Sequence, residues 1–532
     1  MRLDSIEVTN FRCFQQFTLP INGSSLMIVS ENAGGKSSLL TAISKALGKD
    51  RTILLTDFAD PKQSIEIIAT LSGFELTDQA IFPKELSFKG KPTLRIGLQA
   101  IWDAAENDCE ITIGFPDHSW KRASREQREA LRILWLPAYR DPSRLLKLAA
   151  AQGLFSQLLS ALNLDAALDA ASNEISAALD KLSTIPDIAN LLLDARNRLA
   201  GLIPGVETDA FSIGAEAMDT RDLLREFELL LAHSGVRLPV SRQSNGLGQL
   251  AIFVFALRAM AQDSKAILLA DEPEISLHPQ AQRALSSAIH SLPNQVLIAT
   301  HSSNILDRAD ARTIVRLSCS STGVTASRAT SLSAPDAERL SRFVNPQTME
   351  ACFARKVILV EGYSDRLVII NLAKELGKDL DAQGISVLCL HGGGAIGAHL
   401  QLLGKTGIGL EVLGLCDEDK EAQWKKELQK AGIPATDRGT MNAQGFFVCV
   451  KDLEHEFIRV LGFAKIQSLI AAEGEAGAFA LFQSQPNQAG QPLDEQLRRF
   501  LHKDNIRWAV PLVKALDLTA IPNPLKELIG RL

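Results

Sequence analysis

Residues 265–279, KAILLADEPEISLHP, set the frame for everything else in the chain. An uninterrupted apolar run, 266–270, ends abruptly in two adjacent carboxylates, Asp271 and Glu272. A strand buried on both faces of a parallel sheet delivers acids to a ligand at its carboxyl end in this way. The stretch reads as a Walker B strand. In that role Asp271 holds Mg²⁺, directly or through water, and Glu272 positions and deprotonates the water that attacks a nucleotide γ-phosphate. Such a strand needs a phosphate-binding loop elsewhere in the chain.

The sequence supplies one. A short apolar strand, 26–29, runs into Ser30-Glu-Asn-Ala-Gly-Gly-Lys-Ser-Ser38, and a leucine-rich helical pattern follows over 37–47. Strand, glycine-rich loop and helix are the context a P-loop requires. Backbone N–H groups from Asn32 through Gly35 to Ser38 would cradle phosphates, Lys36 would neutralise the β/γ charge, and Ser37 would ligate Mg²⁺. Ser30 stands where the first glycine is usual. A side chain at that tight turn alters nucleotide affinity or loop geometry.

Composition narrows the class. A length of 532 residues suits about three or four domains. The 46% apolar and 22% charged content is that of a soluble globular protein. No stretch approaches the roughly 20 apolar residues of a membrane span, and the N-terminal segment lacks a signal-peptide core, so no membrane association and a cytoplasmic location are expected. Seven scattered cysteines without a C-x-x-C pair point to reduced, mostly buried thiols. A net charge of -6 argues against coating DNA by bulk electrostatics, and leaves room for a local basic groove or metal-mediated phosphate contacts.

Further elements extend the first unit. Residues 3–8 and 17–21 read as strands, and 65–71 and 93–101 as an antiparallel layer. The cationic run 121–132 reads as a solvated helix. From 144 to about 202 the composition turns Ala/Leu-rich with helical spacing, an inserted unit whose wide apolar face suits dimerisation ahead of a plain intrachain bundle. Ser244-Asn-Gly246-Leu-Gly-Gln249 opens a helix to about 260, suited to a phosphate presented from outside. Residues 295–301 form another buried strand, ending at His301.

Taken in order, these motifs resemble the series in ABC-type ATPases. Residues 30–38 match Walker A, 244–249 the signature, 266–272 Walker B, 275–278 the D-loop and His301 the switch histidine. The resemblance implies that two heads sandwich ATP, each signature serine facing the other head's P-loop. A homodimer or higher even oligomer follows from it.

The C-terminal third needs its own account. A strand over 355–360 ends in Glu361 and Gly362, and a helix follows from Ser364. A second strand, 385–390, reaches the turn 391–394, and a third runs into Cys416-Asp417-Glu-Asp419-Lys420. Strands alternating with helices imply a small parallel sheet. Glu361, Asp365, Asp417 and Asp419 then gather at one edge, where unpaired acids would repel and hard oxygen ligands suit Mg²⁺ or Mn²⁺. A fourth strand, 446–450, leads to Lys451-Asp-Leu-Glu454-His-Glu456, which adds two acids nearby.

A glutamate strand followed by a D-x-D strand is similar to the Toprim fold of primases, topoisomerases, recombination factors and nucleases. An ABC-type head followed by Toprim, with VEGYSD and DLEHEF in place, resembles the OLD (overcoming lysogenization defect) family of ATPase-nucleases over nearly the whole chain. The resemblance implies an α/β fold: an SMC/RecF-like ABC ATPase with an inserted helical dimerisation unit, then a Rossmann-like Toprim nuclease domain. The expected parts are 1–143 and 205–345 for the ATPase, 144–204 for the insert, and 346–532 for Toprim with a C-terminal helical part. It also implies ATP with Mg²⁺ at the head, DNA as substrate, defence against phage, and a helicase or other defence protein encoded nearby.

Glu361, Asp417 and Asp419 are the expected nuclease centre. Two Mg²⁺ or Mn²⁺ ions about 3.5–4 Å apart would stabilise the attacking water and the leaving 3′ oxygen. By resemblance Asp365, Glu454 and Glu456 hold the second metal, although the family more usually has glutamate at the Asp365 position, which leaves that ligand role open. Lys503, in the cationic run 498–507, is the candidate for the basic group on the scissile phosphate; the family's lysine-glycine context is absent there. A RecF- or SMC-like DNA clamp with a degenerate Toprim scaffold is the alternative, and retention of the core acids argues against it. A strand passer would need a tyrosine nucleophile. Tyr139 lies in the ATPase half and Tyr363 inside the acid motif, and no zinc motif supports a primase.

Overall fold

The computed structural model describes residues 1–146 except 24 and 49, 229–329 except 234, 235, 321 and 322, and 346–532 except 391–394 and 489, with short pieces between 170 and 194 and residues 332 and 338. The helical insert expected at 144–204 lies almost wholly outside the described residues, as does the turn 391–394.

The chain opens with β1 (Arg2–Phe11), β2 (Phe14–Pro20) and β3 (Leu26–Ser30), then helix α1 (Lys36–Ala46). β4 (Ile65–Ser72), β5 (Leu86–Ser87), β6 (Thr93–Asp103), β7 (Asp108–Phe115), β8 (Lys121–Arg122) and β9 (Ile133–Leu136) follow. Six strands form an antiparallel layer in the order β2-β1-β4-β6-β7-β8, with β5 on β6. Its inner face shows the two-residue period of a half-buried sheet, with Ile65, Ile67, Ala69 and Leu71 of β4 all buried. The run 121–132 is not one helix. β8 takes its first two residues, Arg125–Glu129 is the only helical part, and Arg132 turns in to pair with Asp78 and Asp263.

β10 (Leu230–His233) and β11 (Val236–Pro239) pair as a hairpin, and α2 (Asn245–Gln262) leads to β12 (Ile267–Asp271), α3 (Pro279–His290), β13 (Gln295–Ala299), α4 (Ser303–Leu306), β14 (Ile314–Ser320) and β15 (Gly323–Arg328). The second sheet runs β15-β14-β3-β13-β12-β9, parallel throughout except at β14–β15. Both of its faces are covered. Ile267 and Leu269 of β12 join α1 residues Leu39, Leu40 and Ile43 in one apolar cluster, while Leu268 and Ala270 join another. That two-sided burial is why residues 266–270 carry no polar side chain.

α5 (Pro346–Ala351) connects to β16 (Lys356–Val360), α6 (Tyr363–Glu375), β17 (Ile385–Cys389), β18 (Glu411–Cys416) and β19 (Phe446–Val448). These four strands form a parallel sheet in the order β17-β16-β18-β19. α7 (Leu453–Leu461), α8 (Leu493–Lys503), α9 (Asn505–Lys514) and α10 (Asn523–Gly530) cover one face, with Phe457, Leu497, Trp508 and Leu528 packed on Ile358 and Val360. The opposite face of β16, Val357 and Leu359, belongs to the same cluster as Leu268, Ala270 and Ile298 of the second sheet. The ATPase sheet and the C-terminal sheet therefore share one core.

All seven cysteines are free thiols, four of them buried. No helix among the described residues is long and apolar enough to cross a membrane.

Candidate functional site

The phosphate loop sits between β3 and α1. Ala33 at φ 61° and Gly35 at φ 92° take left-handed backbone, which turns the loop tightly into the helix; a Cβ on Gly35 would come 2.9 Å from Cys13 Sγ. Asn32 is exposed at the tip, and Ser38 lies beside Cys13. Lys36 is buried, its ammonium donating to Ser30 Oγ at 2.8 Å and to the Ser30 and Glu31 carbonyls at 3.3 Å. The serine at the first-glycine position thus engages the lysine directly. Burial, offset by Glu272, Asp271 and Glu274, lowers the Lys36 pKa to about 8.

Parallel pairing of β3, β13 and β12 brings the distant motifs to this loop. Ser37 Oγ donates to Asp271 Oδ1 at 3.1 Å, across 234 residues of sequence. Glu272 follows at φ 45°, its Oε1 3.7 Å from His301 Nε2. Burial raises the Asp271 pKa and lowers that of His301. Arg140, absent from the sequence reading, is the brace of this centre. Buried, it donates to the backbone carbonyls of Asp271 at 2.7 Å, Glu272 at 2.9 Å and Pro137 at 2.9 Å, and to Gln249 Oε1 at 2.7 Å. Glu274, which no motif marks, joins the same centre: its Oε1 accepts from His301 N at 2.6 Å and Thr300 Oγ1 at 2.9 Å.

Ser244 caps α2 and is exposed, its hydroxyl accepting from Leu247 N at 3.5 Å. Gly246 lies so close to the 275–278 segment that a Cβ would sit 2.9 Å from Ser276 O. Among the described residues no hydrogen bond or ion pair joins Ser244 or Gly246 to the phosphate loop of the same chain.

At the C-terminal sheet, β16 and β18 are adjacent and in register, so Glu361 and Asp417 leave their carboxyl ends side by side. Glu361 Oε1 accepts from Asp417 N at 3.0 Å. Carboxylate oxygens of Glu361, Asp417 and Asp419 lie within 4.8 Å of one another. Asp365 closes the first turn of α6, its Oδ2 accepting from Gly362 N at 2.9 Å. Burial, then the neighbouring acids, pushes Asp365 up to about 7 and Asp417 up to about 8. Asp365 and Asp417, raised first by burial and then by neighbouring acids, sit in a cluster of hard oxygen donors that fits a divalent cation such as Mg²⁺ or Mn²⁺.

A second group joins Asp452, Glu454 and His502, whose ligand atoms also lie within 4.8 Å of one another. Glu456 is not in it. Its Oε1 accepts from Val450 N at 2.8 Å, and Arg459 reaches both of its oxygens, so the carboxylate is spent on holding the turn before α7. Asp452, the cap of α7, takes the place expected for Glu456, and its charge is felt at Asp417.

Lys503 is exposed at the end of α8. Arg498 and His502, four residues apart, share the helix face towards the acids: Arg498 bonds Asp452, and His502 Nδ1 lies 3.4 Å from Glu454 Oε2. One residue on, Lys503 is rotated about 100° from that face. Lys420 pairs with Asp419 and is a further cation at the cluster. The helix period thus points to Arg498 rather than Lys503.

Residues 142–306 match the family described as AAA ATPase domain, residues 352–419 that described as Overcoming lysogenization defect protein-like, TOPRIM domain, and residues 1–70 a protein family of unknown function. The OLD nuclease of Thermus scotoductus is 27% identical over 443 residues, 78% of this chain and 79% of that protein. The Old nuclease of Escherichia phage P2 is 28% identical over 170 residues, 30% of this chain and 28% of that protein. Among solved structures, the C-terminal region of the Burkholderia pseudomallei OLD protein is 24% identical at a TM-score of 0.27, covering 34% of this chain and 96% of that one. The fold class read from the sequence, an ABC-type head followed by a Toprim unit, is the one found.

Proposed function

We propose that the chain is an ATPase-nuclease of the OLD type: an ATP-binding and hydrolysing, divalent-metal-dependent DNA endonuclease that nicks or cuts DNA in defence against phage. The observation that carries this reading is the cluster of Glu361, Asp417 and Asp419 at one sheet edge, with Asp417 pushed up to about 8. Glu361, Asp417 and Asp419 would hold one cation, and Asp365 and Glu454, with Asp452, a second. Bound divalent cations would supply Lewis-acid activation of water and charge stabilisation for the leaving 3′ oxygen. Arg498 and Lys420 are the chain's own cations for the scissile phosphate.

At the head, Lys36 binds the β/γ-phosphates, Ser37 and Asp271 hold Mg²⁺, and Glu272 orients and deprotonates water, with His301 beside it. Asn32, Gly35 and Ser38 cradle phosphate by backbone N–H groups. Exposure of Ser244 at its helix cap supports service to the P-loop of a second head, in a homodimer or higher even oligomer. A cytoplasmic setting and a helicase or other defence protein encoded nearby belong to the same proposal, as do the domain limits 1–143, 144–204, 205–345 and 346–532. The test is supercoiled plasmid with Mg²⁺ or Mn²⁺. The parent should nick or linearise it and Asp417→Asn should not; an inactive parent, or an equally active variant, sinks the reading.

A further inference from the structure

One wall of the phosphate loop is built by the Toprim unit. A cavity of about 290 Å³ is lined by Ser30, Asn32 and His301 from the head and by Phe353, Arg355 and Gly384 from the other side. Phe353 stacks on the His301 ring, with centroids 6.2 Å apart. Arg355 Nε donates to Glu31 Oε2 at 2.7 Å, and Glu31 is the second residue of the phosphate loop. The arginine is held in place by its stem. Its backbone N donates to Gly384 O at 2.7 Å, and Gly384, at φ +69°, leaves room for a side chain that a Cβ there would meet at 3.2 Å.

Glu31 does not depend on Arg355. Its Oε1 accepts from Arg316 Nη2 at 3.2 Å, and Arg316 is buried and also bonded to Ala354 O. Arg355 is the opposite case: its side chain is 67% exposed, and among the described residues the Glu31 contact is its guanidinium's one hydrogen bond. An exposed ion pair is weak, whereas an arginine fork on a phosphate is a strong, charge-assisted contact. Arg355 can therefore leave Glu31 without orphaning either partner.

Resting on the reading of residues 30–38 as a nucleotide loop, we infer that Arg355 is a ligand for the terminal phosphate of bound ATP, supplied to the head by the Toprim unit of the same chain and parked on Glu31 when the pocket is free. Arg355 directly precedes β16, and Glu361 directly follows it. At about 3.3 Å per residue, one strand about 17 Å long then joins a phosphate ligand to a nuclease acid.

The experiment titrates full-length parent, Arg355→Ala, Arg355→Lys and Lys36→Ala with fluorescent mant-ATP and mant-ADP, and measures ATP hydrolysis. Arg355→Ala should weaken ATP binding about tenfold and ADP binding much less, and raise KM more than it lowers kcat. Arg355→Lys should recover part of the loss. ATP binding at parent strength in Arg355→Ala, while Lys36→Ala binds poorly, overturns this inference and leaves the nucleotide loop standing. A parent that binds no ATP overturns both.

Discussion

Arg140 Nε donates to Gln249 Oε1 at 2.7 Å, and Gln249 Nε2 returns a bond to the Arg140 carbonyl at 3.0 Å. The same guanidinium holds the carbonyls of Asp271 and Glu272, so one buried cation ties the helix that Ser244 caps to the acids of β12. Arg140→Ala would strip donors from three carbonyls at once, each orphaned group costing about 1–3 kcal/mol. We expect a loss of roughly 3 kcal/mol or more in denaturant unfolding, together with lost ATP turnover. Arg140→Lys keeps a charge but not the fork, and should fall between the two.

ATP affinity should fall as pH rises through about 8, the value to which burial lowers the Lys36 pKa, because the ammonium that meets the phosphates is lost above it. Phosphate binding itself favours the charged lysine, which spreads the fall over more than one pH unit. Ser30→Gly removes one acceptor that the lysine must give up and should tighten ATP a few-fold. Calorimetric titration between pH 6.5 and 9.5 checks both; a flat profile speaks against the lysine as the titrating group.

Asp417 makes a different demand. Its folded pKa of about 8 lies far above the roughly 3.9 of an unfolded aspartate, so between those values the folded state keeps a proton the unfolded chain has lost. Without divalent ions, stability should therefore decline as pH rises from about 4 to about 8. Asp417→Asn should raise the metal-free stability at pH 8 by an amount on the order of 1 kcal/mol after solvent screening, and with it the melting temperature, while abolishing cutting. Thermal melts with and without Mg²⁺ read this out: the cation should stabilise the parent far more than the variant.

The face of α8 decides between two cations. Arg498→Ala should reduce plasmid cutting at least tenfold, and Lys503→Ala should stay within about twofold of the parent. The reverse order would return Lys503 to the site.

Glu272→Gln should lose ATP turnover about a hundredfold or more while still binding nucleotide, since it removes the base and keeps the shape. Cutting measured on that trapped state shows whether nucleotide restrains or licenses the nuclease. Identical cutting with and without ATP would mean that the two centres run independently.

What the sequence could say depended on whether a residue's role is local. Asp271, Glu361 and Asp417 were legible because each ends an apolar run, and a buried parallel strand has only its carboxyl end at which to present an acid. Arg140 was not legible: it works through Gln249 and two carbonyls more than a hundred residues away, and nothing in its neighbours marks it. That Asp452 rather than Glu456 stands beside Glu454 has a reason in the pattern itself. In DLEHEF the helix starts at Leu453, so Glu454 and Glu456, two apart, point about 200° from one another and cannot face one site. The cap residue and Glu454 can.

The apolar cluster that runs from Leu268 and Ile298 to Leu359 and Trp424 has a thermodynamic corollary. Two units that share an interior melt as one, so neither can open fully while the other stays closed. Anything that binds only the folded form then protects both: a nucleotide at a hundred times its Kd adds about 2.7 kcal/mol against unfolding of the nuclease edge, although it touches none of those acids. Cofactor supply at one end of the molecule sets the lifetime of the other.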